Sequence, residues 1–137
     1  MKIRKSLSAI FLAVNMAFAG CLGDEEDLFY GEDIIPAIPV NDFILIDEKG
    51  DYFSMNEYEG KVVVIAFLFT RCPDICPVVS ANLAFVAGEI GELYGDQVEF
   101  LTITVDPWTD NSSVLENYSG TRGLSWPHLT GSLDDLK

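Results

Sequence analysis

After residue 41 the chain falls into short apolar blocks separated by polar turns. FILI (43–46), DEKGD and YFSM read as a hairpin with Gly50 in its turn. NEYEG follows as a short turn or helical loop closed by Gly60. KVVVIAFLF (61–69) is apolar without alternation and rich in β-branched and aromatic residues. That pattern predicts a strand buried on both faces, as at the centre of a parallel or mixed sheet. Val79, Leu83, Val86, Ile90 and Leu93 recur at steps of four and three, which makes one stripe on a helix. Pro77 suits the first helical position, where its missing N–H costs nothing, and Gly95 ends the segment. QVEFLTITV (97–105) predicts a second strand, broken at Asp106-Pro107. Ser112 or Ser113 can open a second helix reaching about Tyr118. LSWPHLTG (124–131) reads as a short strand or loop.

Strand, helix, strand with buried strands predicts a right-handed βαβ unit. Cys72 and Cys76 sit at the carboxyl end of its first strand, where open α/β sheets place their sites. At the far end, Ser132-Leu133-Asp134-Asp135 fits a capping box, which opens a helix. Lys137 comes two residues later, so the sequence reads as one that continues beyond it.

Charge and the amino-terminal segment add a location. Lys2, Arg4 and Lys5 precede a mostly apolar run, Leu7 to Ala19, interrupted by Ser8 and Asn15. It is shorter than the roughly 20 residues a membrane-spanning helix needs. FAGC (18–21) then puts small residues before a cysteine, as in lipoprotein-type leaders. Residues 1–20 are expected to be a signal peptide, with Cys21 left as a lipid-bearing N-terminus on the outer face of the cell membrane. The alternative is an uncleaved membrane anchor. Residues 21–41, acidic first and then stiffened by Pro36 and Pro39, read as a tether, and 42–137 as the domain. Residues 1–20 hold three basic and no acidic residues, so their removal takes the net charge from −14 to −17. Such a surface repels nucleic acid and anionic headgroups. It suits a cationic partner, a salty medium, or plain solvation.

With Cys21 set aside, two of three cysteines remain for chemistry. Cys76 falls at the helix start, where free N–H groups favour a thiolate. Arg71 adds a cation beside Cys72. Both thiols are thereby expected to be biased toward the reactive, ligating form. Arg, Pro and Asp as neighbours argue against cysteines that merely pack. Three residues separate the pair, one more than in the thioredoxin motif. The loop can close a disulfide or hold two thiolates around one ion, and two thiolates favour Cu(I). A structural zinc site wants four protein ligands. No second cysteine pair exists, and His128 is the one histidine.

TRCPDICP (70–77), TVDPWTD (104–110), ENY (116–118) and LTG (129–131) together resemble the Sco/SenC family over residues 42–137. The resemblance implies an α/β, thioredoxin-like fold, a mixed sheet with flanking helices, here lacking the last strands and helix. It implies a membrane-anchored protein that binds copper and assists assembly of the dinuclear copper centre of cytochrome c oxidase. Cys72 and Cys76 would be its copper ligands and a redox pair, disulfide-bonded when oxidised. The partner would be the copper-receiving oxidase subunit or another copper or thiol protein. The family's third ligand is a histidine well beyond LTG, so His128 does not match it and reads as a surface or turn residue. Asp106 and Asp110 match acidic positions of the family, which implies a cluster near the site that touches copper's surroundings or a partner; the alternative is loop geometry, since Asp-Pro turns a chain and Asp110 or Ser112 can cap a helix. Asp74 is expected at the surface, Trp108 and Trp126 in packing or at a rim. A thiol–disulfide oxidoreductase using the same two cysteines is the alternative function. A thiol peroxidase is disfavoured because the cysteine pair is local and no peroxidase motif accompanies it.

Overall fold

The computed structural model describes residues 31–136. The chain divides into two units, residues 1–39 and 40–137. The first is described over 31–39, an exposed stretch without helix or strand. The expected leader (1–20), the lipid site Cys21 and residues 22–30 of the tether lie outside the described residues. Every helix and strand among the described residues belongs to the second unit.

Strands β1 (Ile44–Ile46) and β2 (Tyr52–Ser54) form an antiparallel hairpin in which Leu45 faces Phe53. Its turn closes on itself. The Asp47 carboxylate accepts the Lys49 and Asp51 N–H groups at 2.9 and 2.8 Å, and Gly50 takes φ +89°. A side chain would be strained there. Strands β3 (Val62–Leu68), β4 (Val98–Thr104) and β5 (His128–Leu129) form a parallel sheet in that order. Helix α1 (Ile75–Ile90) connects β3 to β4, and α2 (Ser112–Arg122) lies between β4 and β5. Ile46 and Thr130 exchange both backbone hydrogen bonds at 2.8 Å, an antiparallel bridge that ties the hairpin to the parallel strands.

Because side chains alternate along a strand, the sheet has two differently covered faces. On one, Leu101, Ile103 and Leu129 pack with Leu45 and Phe53 of the hairpin. Leu101 and Leu129 are wholly buried, worth about 1.5–3 kcal/mol each. On the other, Leu68 packs with Cys76 and Tyr118. Beside them Phe100, Trp126 and His128 form a run of ring contacts, with the His128 ring nearly parallel to Trp126 at 5.9 Å.

Several expectations need correction. The burial of β3 on both faces is met only in part among the described residues: Ala66 and Leu68 are buried, while Val62 is 63% and Phe67 67% exposed. β4 is its one strand partner among the described residues, and its amino-terminal half is thinly covered there. The α1 stripe is covered only in part, since Val86 and Leu93 are exposed. Gly91, not Gly95, ends α1, and Gly95 makes the turn into β4. Pro77 is the third helical residue, still within the first turn. Neither Asp110 nor Ser112 caps α2. Asn111 does, its side chain accepting the Val114 N–H at 3.1 Å. At the end of the described chain, Ser132 and Asp135 exchange the hydrogen bonds of a capping box, and residues 133–136 form a turn, not a helix.

Candidate metal centre

β3 ends at Leu68, and the chain turns before α1 begins. The Cys72 N–H donates to the Phe69 carbonyl at 3.3 Å, closing a four-residue turn with Thr70 and Arg71 at its centre. Both central residues are tied to the loop after β4. Thr70 donates its N–H to Asp110 Oδ2 (2.9 Å) and its hydroxyl to Oδ1 (2.5 Å). Arg71 donates to Asp106 Oδ2 (3.0 Å) and to Thr109 Oγ1 (2.6 Å). Asp110 is wholly buried and also accepts the Thr104 hydroxyl at 2.7 Å. A buried carboxylate with three donors is a satisfied group.

This turn delivers Cys72 to the start of α1. Asp74, at the cap position, makes no side-chain capping bond. The first-turn N–H groups of a helix lack intrahelical partners, and here they serve sulfur. The Cys76 N–H points at Cys72 Sγ, 3.4 Å away. Both thiols are free. Cys72 is half-buried; Cys76 is buried beside Leu68 and Tyr118.

The two thiols differ in acidity. Cys72 is held below the ordinary thiol value, first by the Cys76 thiol and then by backbone N–H groups of the helix start. Burial pushes the Cys76 thiol up, and its bond to Cys72 adds to this. The expectation that both are thiolate-biased is therefore corrected: Cys72 is, and Cys76 is not. Arg71 is turned away from the pair. Its guanidinium is engaged by Asp106 and Thr109.

Of the other candidate residues, Asp74 is exposed at the mouth of the cysteine loop. Trp108 is exposed on the rim, while Trp126 is buried and donates its indole N–H to Thr102 Oγ1 at 2.9 Å. His128 is not a surface residue. It is wholly buried in β5, its Nδ1 bonded to the Trp126 carbonyl at 2.8 Å. Its Nε2 has no hydrogen-bond partner among the described residues. Among the described residues no group of three or more His, Cys, Asp or Glu side chains is arranged to hold a metal. The donor set is thus two sulfurs, one acidic and accessible, one buried. Two soft donors on a short loop fit a soft monovalent ion such as Cu(I) better than a hard cation.

Two features of the site escaped the sequence. The Asp110–Thr70 link was masked because an Asp before Asn-Ser-Ser looks like a helix cap. The Ser80–Tyr118 hydroxyl bond, 3.0 Å, joins α1 to α2 behind Cys76. Its signal was a lone serine among the apolar residues of α1.

Comparison with known proteins agrees with the geometry. The sequence profile of the SCO1/SenC family matches residues 35–137. The chain is 35% identical over 95 residues to "Protein sco1" of Schizosaccharomyces pombe, covering 69% of this chain and 36% of that one. The crystal structure of yeast Sco1 with copper bound superposes with a TM-score of 0.63 at 34% identity, covering 70% of this chain and 61% of that one. A structure of BsSco, described as a Sco-family cytochrome c oxidase assembly protein with a disulfide switch, superposes at 0.60 and 27% identity, covering 68% and 56%. The chain thus spans about a third of the curated relative, by the 36% covered, and about 60% of the solved structures.

Proposed function

We propose that this chain, which belongs to the SCO1/SenC family and has its thioredoxin-like fold, carries Cu(I) on Cys72 and Cys76 for the dinuclear copper centre of cytochrome c oxidase. The observation that carries the proposal is the pair of free thiols at the carboxyl end of β3, joined by the Cys76 N–H to Cys72 Sγ contact of 3.4 Å. Copper is cargo here, bound and then surrendered. Cys72, acidic and half-buried, is the sulfur a receiving protein reaches first. Cys76, buried, holds the ion from behind. Ligand exchange then moves copper stepwise from Cys72, then Cys76, to the partner's sulfurs. We further propose that a lipid on Cys21 tethers the domain to the outer face of the cell membrane, on the support of FAGC.

The acidity difference favours a second role at the same site, reduction of a partner disulfide. The Cys72 thiolate attacks one partner sulfur, and the other leaves as a thiolate. The Cys76 thiol then gives its proton to that thiolate and attacks Cys72 Sγ, closing the Cys72–Cys76 disulfide and expelling the second partner sulfur as a thiolate. The partner gains two electrons and this chain loses two. One experiment separates the roles. The Cu(I)-loaded protein, and separately the copper-free dithiol, are mixed with the copper-receiving domain of the oxidase. Copper transferred with the Cys72–Cys76 dithiol intact supports the carrier. Partner thiols gained in step with a Cys72–Cys76 disulfide, without copper transfer, support the reductase and overturn the carrier.

A further inference from the structure

Cys72 gets its position from outside the cysteine loop. It is the last residue of a turn whose two central residues are both bonded to the 106–110 loop. The Arg71 bonds are exposed, and an exposed ion pair is worth little. The Thr70 bonds are different. They end on Asp110, which is wholly buried and is itself fixed at three points. Its N–H donates to the Asp106 carbonyl at 2.9 Å, Thr104 at the end of β4 donates to Oδ2, and Asn111 opens α2 directly after it. No bond from Asp110 to either cysteine exists, yet both its oxygens hold the residue two before Cys72.

We propose that Asp110 is a positioning residue that orders the 69–72 turn and thereby keeps the Cys72 sulfur against the start of α1. The proposal rests on the Cu(I) reading for its first readout but not for its second. For a metal site, ordering of this kind lets the second ligand bind without a search. Loss of groups that orient metal ligands weakens binding by about 10–100-fold. For the dithiol, an ordered turn raises the effective concentration of one sulfur at the other, which favours the disulfide. Releasing the turn lowers its equilibrium constant against glutathione by about tenfold.

The test uses the whole chain in four forms: wild type, Asp110→Asn, Thr70→Val and Thr70→Ser. Asp110→Asn turns an acceptor into a donor facing Thr70 or Thr104. Thr70→Val keeps the shape and the N–H but removes the hydroxyl, and Thr70→Ser keeps both donors. Cu(I) affinity is read by competition with a colorimetric Cu(I) chelator, and the Cys72–Cys76 disulfide by exchange with glutathione. Asp110→Asn and Thr70→Val should lower both quantities while Thr70→Ser stays at the wild-type values. Folded variants with wild-type copper affinity and wild-type disulfide exchange would overturn the proposal. If Asp110→Asn fails to fold, the Thr70 pair decides alone. If the wild type holds no Cu(I), the carrier role falls, and the glutathione exchange still decides whether Asp110 positions Cys72.

Discussion

Gly131 closes the LTG run, and its lack of a side chain is a packing requirement. A methyl group added there would lie 2.8 Å from Leu45 Cδ2 and 3.3 Å from Asp135 Cβ. Leu45 cannot simply swing aside. It is 3% exposed and wedged against Phe53, Leu101, Ile103 and Leu129. Gly131→Ala therefore overpacks the cluster between hairpin and sheet, at a cost of about 1–3 kcal/mol. For a unit of this size that lowers the melting temperature by roughly 5–20 °C. Leu45→Val supplies the control, because it withdraws atoms from the point of collision. The double variant should lose less than the two single losses summed, with a coupling of about 1 kcal/mol. Circular dichroism melts of the four proteins measure this. The cysteines lie at the other side of the sheet, so alkylation of Cys72 should be unchanged. A Gly131→Ala melting point within about 2 °C of wild type, or strictly additive losses, would refute the collision argument.

Cys72 should react with iodoacetamide well before Cys76 at neutral pH, because burial holds the Cys76 thiol protonated. Peptide mapping reads the order, and equal rates would contradict the asymmetry. Burial holds the His128 imidazole below its usual 6.5, so the folded state prefers the neutral ring. Its contribution to stability is full above about pH 6.5 and is lost as the pH falls below that value toward the folded-state pKa. His128→Gln should flatten that part of the pH–stability curve in urea titrations; an unchanged slope would count against it. Mass spectrometry of the membrane fraction should find a lipid-modified Cys21 at the N-terminus, whereas an intact peptide from Met1 through Cys21 would indicate an uncleaved anchor.

Much of the frame was legible because period and punctuation are local. The apolar run 61–69 and the segment QVEFLTITV (97–105), broken at Asp106-Pro107, mark β3 and β4 to within a residue or two, and the steps of three and four mark α1. Pairing is not local. Nothing in KVVVIAFLF itself says which strands flank it, so its exposure beside β4 alone among the described residues is read from the pairing and not from the run. His128 was misplaced for the same reason. SWPHL is too short to show a period, and only its pairing with Thr102 on β4 puts the imidazole inside. The cysteine loop was legible as chemistry, since Cys-Pro-Asp-Ile-Cys-Pro fits neither packing nor a four-ligand site. Its electrostatics were not. Adjacency in sequence put Arg71 beside Cys72, but the guanidinium reaches across to Asp106, thirty-five residues on.

X-ray absorption at the copper edge, on protein loaded with one equivalent of Cu(I) under anaerobic conditions, tests the site most directly. Sulfur scattering from two ligands in the wild type, falling to one in Cys72→Ser and in Cys76→Ser, is the expected result. Sulfur coordination unchanged in both variants, or copper bound only through nitrogen and oxygen in the wild type, would contradict Cu(I) carriage on Cys72 and Cys76.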